Sequence, residues 1–225
     1  MDTHSISTTA SRINSRRLVL FLAIAVVSVF SWLTPVLYPL KIFVVFIHET
    51  GHALATVLTG GHVGSMVVTP LESGYVQHIG GNALLIASAG YVGSALFGGL
   101  MLFFVGRRSW TTTIFVGLAL LFGIVTIWFV RNGFGIVFGL GTAVVFGGLA
   151  WKAFPGAHYL IDVLAVMSSL YALYDLTDFL LLGTRTDAVI LAQITHVPAF
   201  IWAILWSLLS LLVVYTAGKQ ALSRP

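Results

Sequence analysis

The sequence predicts an all-α polytopic membrane protein of about seven transmembrane helices, with a short β-hairpin or loop after the second span. Of its 225 residues, 58% are hydrophobic and only 8% are charged, and the mean hydropathy is +1.01. Soluble domains carry about 25% charged residues, so most of this surface cannot face water. The apolar segments also approach the ~20 residues that a helix needs to cross a bilayer.

Charged residues, Gly and Pro divide the chain into seven apolar segments. We predict spans at residues 18–38, 42–58, 83–105, 112–130, 133–151, 159–182 and 198–217. They form one membrane-embedded domain, 18–217, between a polar N-terminal tail, 1–17, and a short C-terminal tail, 218–225. We therefore predict that this domain is surrounded by the lipid bilayer.

Residues 62–82 are the one sizeable internal stretch without a helical pattern. Apolar residues flank a turn at Glu72-Ser73-Gly74, which is typical of a short β-hairpin; an irregular loop is the alternative. Non-helical backbone at membrane depth persists only against protein or water. A hairpin here is thus expected to pack beside the second span or to line a wet cavity.

Composition excludes several classes of protein. The formal charge of +4 comes from scattered Lys and Arg rather than from a run, so no nucleic-acid partner is predicted and these residues fit lipid headgroups better. Cysteine is absent, which excludes disulfides, thiolate zinc sites and a Cys nucleophile.

The strongest motif is His48-Glu49-Thr50-Gly51-His52, an H-E-x-x-H arrangement inside the second span. Residues four apart share one face of a helix, so both imidazoles can bind one tetrahedral zinc. Glu49 is angled away from the ion but can reach an ion-bound water as general base. Ionisable residues inside a span are functional candidates by default. The pattern therefore predicts a zinc-hydrolase site rather than two structural histidines.

A catalytic zinc needs a third protein ligand. The second and sixth spans run in the same direction. His48 and His52 lie ten and six residues before the end of the second span, and Asp175 and Asp178 lie seven and four before the end of the sixth. At about 1.5 Å per residue, these depths agree within roughly a turn. Asp175 is the predicted ligand.

Two further carboxylates stay open. Asp178 shares a helix face with Asp175 and is predicted to orient a ligand imidazole or to replace Asp175 as ligand. Asp187, after the sixth span, is the other alternative. The structural alternative for Asp175 and Asp178 is that they only cap the helix or pair with Arg185.

The segment His48-Glu49-Thr50-Gly51-His52-Ala53, continuing to Thr59-Gly60-Gly61, resembles the site-2 protease family of intramembrane zinc metallopeptidases, in particular its compact bacterial peptidase B-like branch. Similar pieces are Ala89-Gly90-Tyr91-Val92-Gly93-Ser94, Val130-Arg131-Asn132, Tyr174-Asp175 with Asp178, Thr186-Asp187-Ala188 and the Trp202/Trp206 span.

The resemblance implies zinc, Glu49 as general base, an Asp ligand from a late span, and cleavage of membrane-embedded or membrane-proximal protein segments. It also implies a multi-pass protein of the bacterial cell membrane. Better-known members carry a Gly after the ligand Asp, whereas Leu176 follows Asp175 here. Their PDZ module has no counterpart in the sequence, so substrate selection is expected to rest on the membrane domain or on a regulatory membrane partner.

Two other functions are compatible with parts of the sequence. A non-catalytic membrane scaffold or chaperone that kept the metal site would explain the missing Asp-Gly pair. A metal transporter would need acidic or His residues along the bundle, and the spans are nearly free of them outside this cluster.

Overall fold

The computed structural model describes residues 15–31, 34–105, 110–152, 154, 156–182 and 186–222. Within these ranges, the side chains of residues 16, 17, 29, 105 and 172–182 are not described. The described part is mostly helical. Its helices are α1 Ser15–Phe30, α2 Tyr38–Leu58, α3 Ala83–Val105, α4 Thr111–Phe129, α5 Gly133–Lys152, α6 Ala157–Leu182, α7 Asp187–Thr195 and α8 Ala199–Leu222.

Each of the seven predicted spans corresponds to a helix. Among the residues that the structure describes, five helices are long and apolar enough to cross a membrane. These candidate spans are Pro35–Leu58, Ala83–Phe104, Thr111–Phe129, Gly133–Lys152 and Ala199–Leu222. The described apolar parts of α1 and α6 are shorter, Leu18–Ser28 and Ala157–Tyr171, so the count of seven stays a prediction. The first boundary also moves, because Pro35–Leu37 forms a 3-10 turn that leads directly into α2.

Helix α2 is the central helix of the bundle. Its first half packs Ile42, Phe43 and Phe46 into the main apolar core, where Phe46 stacks on Phe122 of α4 with ring centroids 4.2 Å apart. Its second half carries the polar residues of the H-E-x-x-H segment, which are also buried. By contrast, α5 exposes large apolar side chains such as Val137 and Val144, as expected of a surface that faces lipid.

The predicted hairpin is present. Strands β1 (His62–Val68) and β2 (Gly74–Ile79) pair antiparallel, with Val68 opposite Gly74. The hydroxyl of Tyr38 donates a hydrogen bond to the Pro70 carbonyl (2.9 Å), and Lys41 Nζ lies 2.7 Å from Glu72 Oε2. The turn therefore reaches the first turns of α2, while β1 begins just after its last. The hairpin lies alongside the second span, which confirms its expected packing.

Helices α2 and α3 approach at glycines. A Cβ built at Gly51 would overlap the Ala89 carbonyl and lie 3.0 Å from its carbon atom, and one at Gly93 would lie 3.5 Å from Gly51 Cα. Small residues allow such backbone contact between helices in a membrane, where van der Waals packing replaces the hydrophobic drive.

We expect Gly51→Ala to destabilise the protein by about 1–3 kcal/mol, since the added methyl group forces α2 and α3 apart. Thermal unfolding in detergent measures the change. Gly141→Ala on α5 is the matched control, because a Cβ there meets nothing within 4 Å. Equal unfolding temperatures for the two variants would contradict the contact.

Candidate metal centre

Two imidazoles of α2 face one another, as the four-residue spacing predicts. His48 and His52 are both buried, their ring centroids lie 4.6 Å apart, and their Nε2 atoms are separated by 2.9 Å. A helix places such residues one turn apart on one face, so local geometry alone brings the two nitrogens together.

A carboxylate from the other end of the chain completes the group. Asp187 is the first residue of α7, and its Oδ2 lies 3.1 Å from the Nε2 atoms of both His48 and His52. Burial alone would raise the pKa of the Asp187 carboxyl, but attraction to His52 and hydrogen bonds with both rings hold that pKa well below its usual range. Asp187 is therefore a ready anionic ligand.

The short helix α7 delivers this carboxylate because it packs against α3 and α8. Ala188 and Leu191 on α7 form a small apolar cluster with Tyr91 of α3 and Trp206 of α8. Thr186, in extended conformation, precedes the helix and places Asp187 in its first turn.

The second nitrogen of His52 has a partner that sets its tautomer. His52 Nδ1 lies 2.6 Å from the Ile86 carbonyl oxygen of α3. A carbonyl only accepts, so Nδ1 carries a proton, and when the ring is neutral its Nε2 lone pair is left for a metal ion.

Gly90 leaves the space between the ligand atoms open. A Cβ built at Gly90 would lie 2.5 Å from His48 Nε2 and 2.6 Å from His52 Nε2. The ring of Tyr91, the next residue, packs edge-on against His48 with centroids 4.6 Å apart and stacks on Trp206. The ligand atoms are thus flanked by the α3 backbone at Gly90, which carries no side chain, and His48 is flanked by the Tyr91 ring.

These residues fit a zinc ion. The donor set is two imidazole nitrogens and one carboxylate oxygen, which is an accepted catalytic zinc set. Ligand atoms at about 2.0–2.1 Å from a tetrahedral zinc stand about 3.3 Å apart, and the three atoms here are separated by 2.9, 3.1 and 3.1 Å.

The chain matches the family model described as Peptidase M50B-like over residues 21–217. It belongs to that family. No curated protein and no solved structure gives a significant match. Family membership confirms the resemblance seen in the H-E-x-x-H segment, and with five apolar helices it identifies a multi-pass membrane protein of a peptidase family.

Glu49 of this M50B-like peptidase lies beside the hairpin rather than among the ligand atoms. It is 5% exposed, and a Cβ built at Gly74 would lie 2.7 Å from its Cγ and 2.8 Å from its Oε1. Its Oε2 has no hydrogen-bond partner among the side chains and backbone that the structure describes. The carboxylate, on the residue that follows His48, is thus buried against the hairpin with one oxygen uncommitted.

The structure brings together three of the residues singled out from the sequence, His48, His52 and Asp187, with Glu49 adjacent. Asp175 and Asp178 fall in the part of α6 whose side chains are not described, so their predicted roles as ligand and orienting residue stay predictions. The orienting partner of His52 is the Ile86 carbonyl, which sequence reasoning missed because a backbone acceptor leaves no mark in the sequence.

We expect Gly90→Ala in this M50B-like peptidase to abolish zinc binding while the helices remain folded, because the methyl group occupies the space between the two Nε2 atoms. Zinc content and circular dichroism of the purified protein measure the two effects. Gly93→Ala, one turn along α3, should keep its zinc, since its Cβ makes only an ordinary contact at 3.5 Å. Full zinc occupancy in Gly90→Ala would refute this account of the site.

Proposed function

We propose that this chain is an intramembrane zinc metalloprotease that hydrolyses peptide bonds of membrane-embedded or membrane-proximal protein segments. The observation that carries the proposal is the convergence of His48, His52 and Asp187 on one another beside a buried Glu49. Membership of a peptidase family and five apolar helices support the same reading.

His48, His52 and Asp187 would hold the ion. Asp187 takes the place that the depth argument gave to Asp175, because its Oδ2 lies 3.1 Å from both ring nitrogens. A zinc ion bound there supplies a Lewis acid that lowers the pKa of a coordinated water to about 7.

Glu49 is the proposed general base. Its uncommitted carboxylate oxygen can accept a proton from the water that attacks the scissile carbonyl, and it can then deliver that proton to the leaving amine. Because Glu49 is buried against the Gly74 backbone, its side chain is confined rather than free to rotate into solvent. His52, protonated at Nδ1, would offer Nε2 to the ion, and the negative charge of Asp187 would balance part of the charge of the ion.

The proposed setting follows from the family resemblance and the composition. The substrate is a membrane protein segment, the solvent is a lipid bilayer, and the compartment is the bacterial cell membrane. A regulatory membrane partner is part of the proposal, since the membrane domain must otherwise select substrate by itself.

We expect Glu49→Gln to retain zinc and to lose about 10²–10⁴-fold in cleavage rate, the usual contribution of a general base. Cleavage of a tagged single-span model substrate and metal content of the purified protein measure the two quantities. Equal cleavage by wild type and Glu49→Gln would rule out the protease. Zinc binding without any cleavage by wild type would favour the scaffold or chaperone function instead.

The third ligand has its own test. We expect Asp187→Asn to lower zinc affinity by at least about 100-fold, because even outer-shell partners of a metal site contribute about 10–100-fold. Asp175→Asn is the comparison variant, with Asp178→Asn beside it. Loss of zinc in Asp175→Asn with full retention in Asp187→Asn would restore the ligand favoured by the depth argument.

A further inference from the structure

The junction between α4 and α5 grips the hairpin through one side chain. The Asn132 amide makes two hydrogen bonds to the backbone of Val68 at the end of β1: Oδ1 accepts from the Val68 N–H (3.2 Å) and Nδ2 donates to the Val68 carbonyl (2.7 Å). A neighbouring β-strand would satisfy the same two groups. The side chain therefore acts as a single added strand residue.

The backbone next to Asn132 extends this attachment. The N–H of Arg131 donates to the Met66 carbonyl (3.1 Å), and Met66 and Val130 form an isolated parallel bridge. The Arg131 guanidinium turns the other way and donates to carbonyls at the end of α4, including those of Ile127 and Trp128. Asn132 is thus the side chain of this junction that holds the hairpin.

Val68, which Asn132 binds, lies opposite the residue that packs against Glu49, the proposed general base. Val68 pairs with Gly74 across the hairpin. Gly74 in turn lies against Glu49, since a Cβ there would be 2.7 Å from Glu49 Cγ and 2.8 Å from Oε1. A displacement of Val68 would therefore move Gly74, its partner across the hairpin, and with it the surface that confines the Glu49 carboxylate.

The turn itself has two further attachments, both to α2. The Tyr38 hydroxyl donates to the Pro70 carbonyl (2.9 Å), four residues before Gly74. Glu72, two residues before Gly74, is held by Lys41 of α2 at 2.7 Å. A lysine on a long flexible chain tolerates movement of its partner, whereas two hydrogen bonds from one planar amide fix both position and direction. Of these attachments, the Asn132 amide is the one that binds the residue paired with Gly74, so it fixes the position of Gly74.

A close backbone contact also holds Asn132 in place. A Cβ built at Gly135, on the first turn of α5, would lie 2.6 Å from Asn132 Oδ1 and 2.7 Å from a methyl carbon of Val130. A Cβ at Gly133 would meet nothing within 4 Å. The two glycines therefore offer a perturbing and a silent substitution on the same helical turn.

We propose that Asn132 is a positioning residue for the general base: its amide fixes the hairpin at the height where Gly74 confines the Glu49 carboxylate. This inference rests on the proposed protease function. Asn132 lies outside the group of His48, His52 and Asp187, so its loss should disturb the geometry of proton transfer and leave the metal ligands in place.

We expect Asn132→Leu to lower kcat about 10–100-fold, the scale of a displacement of roughly 1 Å at a reacting group. KM should stay within about threefold, and zinc affinity should be unchanged. Asn132→Asp keeps the size and the acceptor but sets a carboxylate oxygen against the Val68 carbonyl, so it should behave like Asn132→Leu. Full-length protein in detergent, zinc alone and the tagged single-span substrate are the materials of the test.

Matched controls separate this role from damage to the junction. Arg131→Leu removes the neighbouring side chain, and Gly133→Ala adds a methyl group in open space; both should keep the wild-type kcat. Gly135→Ala should reproduce the kcat loss of Asn132→Leu with zinc retained.

Wild-type kcat in Asn132→Leu and Asn132→Asp would overturn the inference. Loss of zinc together with kcat in Asn132→Leu, Asn132→Asp and Gly135→Ala would also overturn it, because the role would then be structural. Failure of the proposed function gives a different result. Wild type and Glu49→Gln would then cleave the substrate equally, and this comparison involves no substitution at Asn132.

Discussion

The buried side chains of His48, Glu49 and His52 in the central helix α2 impose the main constraint on this bundle. Water cannot satisfy polar groups at that depth, and an isolated charge there is costly. The surrounding elements supply the missing partners: a carbonyl of Ile86 from α3 for one ring and the carboxylate of Asp187 from α7 for both. The path of the chain around α2 is consistent with this need.

The same constraint accounts for a glycine at position 90 of α3. Residues on an ordinary helix face would push the α3 backbone away from the imidazoles, so Ile86 could not reach His52. Gly90, with Gly51 across the contact, brings the two backbones close. In a bilayer this contact is held by packing and hydrogen bonds rather than by exclusion of water.

Local features were predictable from the sequence. The spacing of His48 and His52 fixes their geometry on any helix, and the turn at Glu72-Ser73-Gly74 with alternating apolar residues indicates a hairpin. Asp187 enters the sequence analysis only as an alternative, because matching depths within full spans favours Asp175. The sequence gives no sign that a nine-residue helix packs against α3 and α8 and brings Asp187 to the two imidazoles. The steric need for glycine at position 90 depends on the distance between two helices, which periodicity does not encode.

The hydrogen bond between His52 and Ile86 links metal content to the stability of the whole bundle. Under the proposed assignment, the ion joins α2 to α7 across 139 residues of sequence, and the same imidazole joins α2 to α3. An ion that binds the folded state alone adds stability that grows with the logarithm of its free concentration above the dissociation constant. A chelator should therefore loosen three helices together, so the temperature of unfolding reports how much of the protein carries metal.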